Sequence, residues 1–464
     1  MNKSLEHDPK SCWEIFKDEE HQQGMDDLAA RYIDFLTRCK TERETIKYVE
    51  DRLREAGFED YLGADQCFRS FRDKTIFIAR KGKNPLSQGF RLVGAHADTP
   101  RIDFKQHPLY EDLGMSMAKT HYYGGIRKYQ WLARPLSLHG VVVKADGTKV
   151  DVVIGEDADD PVLSILDLLP HLAYKQVTKN VTDAFEAEKL NILMGHSMSF
   201  SNDEEAGDGE EKNGKPSVKR KVLELLNEKY DIVEEDLFSA EMHIVPAGPA
   251  RYVGLDKSVV GGYGQDDRSC VFLALEAFLN APEPEHAQIV LFYDKEEIGS
   301  EGSTGAKSLF FEYCLEDLID AWEPNAKMSR VMMAGKALST DVHAAIDPDY
   351  QDVHEKLNSA YLGYGPCFCK FTGHRGKVGA NDAHPEFVAW LRNILNEAGA
   401  PWQMAELGKV DLGGGGTVAK FLALYGMDVI DFGPPVLSMH SPFELTSKAD
   451  LYATELAFRT FLKN

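Results

Sequence analysis

The 464-residue chain has few cysteines, too little positive charge to balance its acids, and no long apolar run. Its seven cysteines, at 12, 39, 67, 270, 314, 367 and 369, are odd in number and scattered, which argues against a disulfide framework. Cys367 and Cys369 sit in an alternating, strand-like run without a second pair, which argues against a structural zinc site. A reducing cytoplasm is the expected compartment. No run approaches the roughly 20 apolar residues of a membrane span. Residues 1–8 carry no apolar segment of the kind found in a secretory leader. Lys and Arg number 52 against 75 Asp and Glu, a formal charge of −23. That excess argues against nucleic acid or an anionic membrane as partner, without identifying a substrate. There is no internal repeat.

A hydrophobic content of 43% supports real cores, and the length allows two or three domains. Leu28, Tyr32, Phe35 and Leu36 recur at helical spacing within residues 23–57, and Thr41 followed by Glu44 predicts a capping box. Residues 75–79 and 90–95 read as buried strands. Between 106 and 250 there are short β-like runs, such as 138–143 and 150–154, but no alternation of strands and helices. This stretch is expected to be an inserted, mainly β second domain. Within it, residues 201–217 are rich in Asp, Glu, Gly and Lys with no apolar anchor, the composition of a mobile loop. The alternation resumes near 255. Helices are expected over 269–279, 304–314, 384–396, 417–424 and 448–462, and strands over 288–293, 366–371, 402–407 and 429–432. Strand–helix alternation on both sides of an insertion implies one α/β catalytic domain, residues 1–105 and 251–464.

Chemistry concentrates where these strands end. The run 288–293 leads into Asp-Lys-Glu-Glu-Ile-Gly-Ser, residues 294–300. Open α/β sheets place active sites at the carboxyl ends of their strands. There, Glu296 and Glu297 can divide the labour, one ligating a metal and the other moving a proton. An isolated Glu-Glu pair would read as a solvated acidic turn. This pair has company: His96 and Asp98, Asp266 and Asp267, Asp341, and His440 also fall at strand ends. Together they supply a bridging carboxylate, a His and a carboxylate for each of two metals, and a spare Glu. Imidazole and carboxylate oxygen suit Zn²⁺, with Mn²⁺ or Co²⁺ as alternatives. Two ions roughly 3.5–4 Å apart lower the pKa of a shared water and clamp both oxygens of a tetrahedral intermediate. His343 is either a member of the site or a packing residue, and His374 and His384 are unassigned. The run Gly413–Gly416 lacks the Lys-Ser/Thr of a phosphate loop. It reads as backbone that must come close to a bound ligand.

Five stretches carry a family resemblance: Gly94-Ala-His-Ala-Asp-Thr-Pro-Arg-Ile-Asp103, Tyr263-Gly-Gln-Asp-Asp-Arg268, Asp294-Lys-Glu-Glu-Ile-Gly-Ser300, Ser339-Thr-Asp-Val-His-Ala344 and Ser438-Met-His-Ser441. In this order they resemble the motifs of the aspartyl aminopeptidases, di-zinc exopeptidases that typically assemble as tetrahedral dodecamers. The resemblance implies a mixed sheet flanked by helices, of zinc-exopeptidase type, and peptide substrates. It also implies that the insertion closes over the site and builds subunit contacts. Carried over, His96 and Asp341 would ligate one metal, Glu297 and His440 the other, and one Asp of the 266–267 pair would bridge them. The resemblance favours Asp266, ahead of a cis peptide, although many members have Leu-Asp-Asn where this chain has Gln-Asp-Asp. Asp98 would orient His96 through its other ring nitrogen, and Glu296 would be the general base. A large homo-oligomer is expected, with the aromatic stretches 122–123 and 129–132 as interface candidates. The family name implies acidic N-terminal residues, for which Arg375, Lys377 and Lys409 are the candidate cations. Two other readings use the same residues: a di-metal deacylase of small N-acyl compounds, and a non-catalytic assembly protein on a peptidase fold.

Overall fold

The computed structural model describes residues 5–200 and 216–464. The chain divides into two compact units, one running to Thr99 and resuming at Pro249–Asn464, the other Pro100–Gly248. The discontinuous unit is built on an eight-stranded sheet. In spatial order its strands are Gln66–Phe71, Thr75–Arg80, Ala287–Tyr293, Phe90–His96, Lys336–Ser339, Asp428–Gly433, Cys367–Cys369 and Gln403–Met404. Ala287–Tyr293, Phe90–His96, Lys336–Ser339 and Asp428–Gly433 run parallel to one another, with antiparallel pairings on either side. The sheet is mixed and flanked by helices.

The strands read as continuous apolar runs because both faces are covered. Ile76, Ile78, Val93, Val290, Phe292, Leu338 and Ile430 pack on one side, against helices that include Glu19–Arg38, Gln265–Leu279 and Lys448–Lys463. Phe77, Ala79, Leu92, Ile289, Leu291, Ala337 and Val429 pack on the other, against Phe310–Trp322 and Ala419–Ala423. Successive side chains alternate between two cores, as the period of a strand dictates. Helix Glu42–Glu55 begins with the expected capping box of Thr41 and Glu44. Its registry is therefore set locally as well as by burial of Ile46, Val49 and Leu53.

Several elements differ from the sequence expectation: the strand expected over 366–371 is only Cys367–Cys369 and the helix expected over 417–424 only Ala419–Ala423. The helix expected over 304–314 starts only at Phe310. Residues 300–309 form turns instead, because Thr304 donates to Asp294 at 2.6 Å and accepts from Lys295 at 2.9 Å, which pulls the chain back to the strand end. The strand expected over 402–407 shortens to Gln403–Met404, at the edge of the sheet.

The second unit carries a seven-stranded sheet in which every neighbouring pair is antiparallel. It begins at Pro100 rather than 106 because Arg101–Asp112 is one strand of that sheet, paired with Met115–Tyr123. Trp131 is fully buried and belongs to the interior. The arginine of residue 101 stacks on Tyr123, 3.9 Å above the ring. Of the proposed aromatic interface, Tyr122 and Tyr129 are the exposed members. Most of the stretch 201–217 lies outside the described residues; Ser217 itself caps helix Val218–Tyr230. All seven cysteines are free and buried. No helix among the described residues is long and apolar enough to cross a membrane.

Candidate active site

The carboxyl ends of three neighbouring parallel strands meet here. Phe90–His96 ends on His96, Ala287–Tyr293 leads into Glu296 and Glu297, and Lys336–Ser339 leads into Asp341. Backbone bonds lock these ends together: Ala97 N–H donates to the Tyr293 carbonyl at 2.7 Å, and Thr340 N–H to the Gly94 carbonyl at 2.6 Å. Asp266 and Asp267 open helix Gln265–Leu279 with non-helical backbone angles, and the peptide between them is cis. His440 arrives from the turn after the short strand Pro435–Val436.

The side chains converge. Asp266 lies between two imidazoles, with one carboxylate oxygen 3.2 Å from His96 Nε2 and the other 3.1 Å from His440 Nε2. Asp341 is 3.9 Å and Glu296 4.0 Å from His96 Nε2, while Glu297 is 3.5 Å from His440 Nε2. Two triads have their donor atoms within 4.8 Å of one another: His96, Glu296 and Asp341, and His96, Asp266 and Glu297. His96 Nε2, Asp266 Oδ1 and Glu297 Oε1 are buried without a hydrogen-bond partner. Buried polar atoms are nearly always satisfied. Three that converge unsatisfied on one point fit a cation, and imidazole with carboxylate is a donor set suited to zinc.

Asp267 turns elsewhere. It accepts the backbone N–H of His96 at 3.3 Å, so the two aspartates differ in what they face. Asp98 touches more than the imidazole of His96. Its carbonyl lies 3.0 Å and its carboxylate 3.3 Å from His96 Nδ1. The carboxylate oxygens also accept the backbone N–H groups of Glu296, at 3.0 Å, and Glu297, at 3.2 Å. One buried carboxylate thus joins the His96 strand to the Glu296 loop.

Burial and crowding set the protonation of the group. Burial pushes the Glu296 carboxyl up to about 8, against the pull of His96, and raises Glu297 and Asp341 as well. For Asp266 burial acts in the same sense, but its contacts with His440 and His96 outweigh it and hold the carboxyl below the usual range. Burial disfavours charge on the imidazoles too. Contact with Asp266 nevertheless carries His440 up to about 11 and raises His96.

The site opens into a cavity of about 410 Å³. Its walls include Asp266, Glu296, Glu297, His343, Gly413–Gly416 and three cations, Arg375, Lys377 and Lys409. Lys377 is paired with Asp382 at 3.1 Å and sits over the Phe371 ring, whereas Arg375 and Lys409 have no ion pair among the described residues. His343 is buried, pushed down to about 4 by that burial, and joins neither triad. His374 is exposed and pairs through its backbone with Gly414. The glycine run lines the cavity, but part of its requirement is internal. A Cβ on Gly413 would strike the Leu407 carbonyl, and one on Gly414 the Gly373 carbonyl.

Sequence reasoning missed Glu444. It is 1% exposed and holds backbone N–H groups of Gln265, Asp266 and His440. The one available signal was an acidic residue four places after His440 in a stretch, 441–447, with no other charge. Asp431, also buried, went unnoticed; it receives the Thr417 hydroxyl at 2.6 Å.

A family model described as aminopeptidase I zinc metalloprotease (M18) matches residues 35–462. The chain belongs to that family: it is a zinc metalloaminopeptidase, a hydrolase. It is 46% identical to a probable M18 family aminopeptidase 1 of Clostridium acetobutylicum, over 100% of both chains. It is 45% identical to a probable M18 family aminopeptidase 1 of Thermotoga maritima, over 98% of each. The crystal structure of a Thermotoga maritima M18 aminopeptidase superposes with a TM-score of 0.91 at 44% identity, covering 99% of this chain and 100% of that one. An S. cerevisiae mApe1 dodecamer shares the fold at 20% identity and a TM-score of 0.76, covering 95% of this chain and 97% of that one.

The protonation pattern has a measurable consequence. Without metal, Glu296 holds a proton up to about pH 8 and His440 up to about 11, whereas the unfolded chain releases them near 4.5 and 6.5. The folded state therefore binds more protons between pH 6 and 9, and its stability falls as pH rises through that window. The thermal midpoint of chelator-treated protein is expected to drop from pH 6 to pH 9. With zinc bound in place of the protons, the dependence should flatten. A chelated protein that is more stable at pH 9 than at pH 6 would contradict the assignment.

Proposed function

We propose that the chain binds two zinc ions per subunit, His96 and Asp341 holding one, Glu297 and His440 the other, with Asp266 between them. The observation that carries this reading is the convergence of His96 Nε2, Asp266 Oδ1 and Glu297 Oε1, all buried and without hydrogen-bond partners. When bound, zinc supplies Lewis acidity, polarising the scissile carbonyl and acidifying water. The protein supplies the rest. Glu296 is the less buried of the two glutamates, 16% exposed at its side chain against 5% for Glu297, and faces the cavity where a peptide would lie. It takes a proton from the attacking water and delivers it to the leaving amine. Asp98 keeps Glu296 in reach by holding its backbone. Family membership favours this aminopeptidase over the deacylase and assembly readings, which use the same residues. The expected setting is a reducing cytoplasm.

Replacing Glu296 by Gln should leave two zinc ions bound and lower kcat at least ~10²-fold, the scale of a lost general acid–base. Replacing Glu297 by Gln should instead lose a metal, read by metal counting on the purified proteins. The opposite pattern would exchange the two roles.

The cavity takes the side chain of the N-terminal residue, and Arg375 and Lys409 favour an acidic one. Neither has a carboxylate partner among the described residues, although Glu406 also lines the cavity and limits the advantage. The kcat/KM for Asp and Glu anilides should exceed that for Leu and Met, and replacing both cations by Ala should erase the difference. A Leu anilide tenfold better than Asp would end the acidic assignment while leaving the metal chemistry intact.

The subunits assemble into a large homo-oligomer, a dodecamer as in the yeast relative. The inserted unit exposes Leu166, Leu168, Leu172, Tyr174, Val177 and Val181 close together in sequence, apolar side chains suited to burial in a subunit contact. Sedimentation at micromolar concentration should show no monomer; a monomer alone would refute the assembly.

A further inference from the structure

Pairing of strand Val259–Gly262 with Glu444–Ser447 sets Gly262 opposite Glu444. That register delivers a buried carboxylate beneath the loop that leads to Asp266. One oxygen of Glu444 accepts the N–H of Gln265 at 2.6 Å and of Asp266 at 3.1 Å. The other accepts the N–H of His440 at 2.7 Å. His440 is itself in the left-handed backbone region, φ 63°, a conformation that crowds the Cβ of a non-glycine residue and needs support.

The Gln265 side chain braces the backbone that carries Glu444. Its amide nitrogen donates to the Glu444 carbonyl at 2.6 Å and the Val260 carbonyl at 3.2 Å, and its amide oxygen accepts the Tyr32 hydroxyl at 3.1 Å. A leucine here could make none of these bonds. The brace runs from helix Glu19–Arg38 through Gln265 to the strand that carries Glu444.

We infer that Glu444 is a positioning residue that fixes the separation of Asp266 and His440, and so the fit of the zinc ion between them. The inference rests on the ligand set proposed above. The 3.1 Å between His440 Nε2 and Asp266 is held from behind by one carboxylate gripping both backbones. A carboxylate offers acceptors on both oxygens; an amide offers one acceptor and one donor group. In Glu444→Gln the amide NH₂ must therefore face N–H donors on one side, and one grip is released. Glu444→Asp keeps both acceptors but is one methylene shorter, so it cannot span both.

The test is zinc affinity of the metal-free full-length protein, by competition with a chromogenic chelator, alongside zinc counting and thermal melting. Four variants are compared: Glu444→Gln, Glu444→Asp, Thr446→Val and His440→Ala. Thr446 is buried on the same strand and bonds the Pro435 carbonyl at 2.9 Å, away from the ligands. Glu444→Gln and Glu444→Asp should bind one zinc at least tenfold more weakly and keep the other near wild type. Thr446→Val should lose thermal stability without losing zinc affinity. If Glu444→Gln fails to fold, Glu444→Asp carries the test. Wild-type affinity in the Glu444 variants overturns the inference, as does an equal loss in Thr446→Val. If that happens while His440→Ala loses a zinc, the ligand set stands and only the role of Glu444 falls. Two tightly bound zinc ions in His440→Ala would instead overturn the ligand set.

Discussion

Four carboxylates and two imidazoles crowd the strand ends of this protein at separations of about 3–4 Å. Like charges at that spacing in a poorly solvated place cannot all stay ionised unaided. Either protons are taken up or cations are. Much of the surrounding architecture can be understood as holding that unfavourable assembly together until the second option is exercised.

The holding is done from behind and largely through the backbone. Asp98 ties the ends of two strands, and Glu444 ties a helix start to a turn. The tie of Asp294, Lys295 and Thr304 secures the glutamate loop from its far side. Neither Asp98 nor Glu444 depends on a flexible side chain reaching another. Each grips main-chain N–H groups of the loop, helix start or turn that carries the converging side chains, so those side chains are anchored through the backbone.

Much of this could be read before any coordinates. Strands such as 288–293 stood out because burial on both faces leaves no polar alternation to confuse them, and the polar motifs followed them directly. His96, Asp266, Glu296, Glu297, Asp341 and His440 do come together at the carboxyl ends. What escaped notice depends on pairing between distant segments. Glu444 matters only because Glu444–Ser447 pairs with Val259–Gly262, a register that no local pattern announces. Trp131 was an interface candidate because it sits in an aromatic and apolar cluster, yet it is fully buried within its own subunit. The glycines at 413 and 414 suggested a ligand, while part of their necessity is the carbonyls of Leu407 and Gly373. The start of the helix at Phe310 was obscured by a side-chain tie, which periodicity does not register.

The order of strands in the catalytic sheet also bears on when the enzyme can first act. Phe90–His96 is central, and both its neighbours, Ala287–Tyr293 and Lys336–Ser339, are made long after it, beyond the whole inserted unit. His440 comes later still, followed by helix Lys448–Lys463, which packs against Gln265–Leu279. Contacts this distant in sequence form late and slowly. A nascent chain emerging from the ribosome therefore carries parts of a peptidase but no working one. Proteolytic competence is withheld until the segment that carries His440 has been made and has folded back.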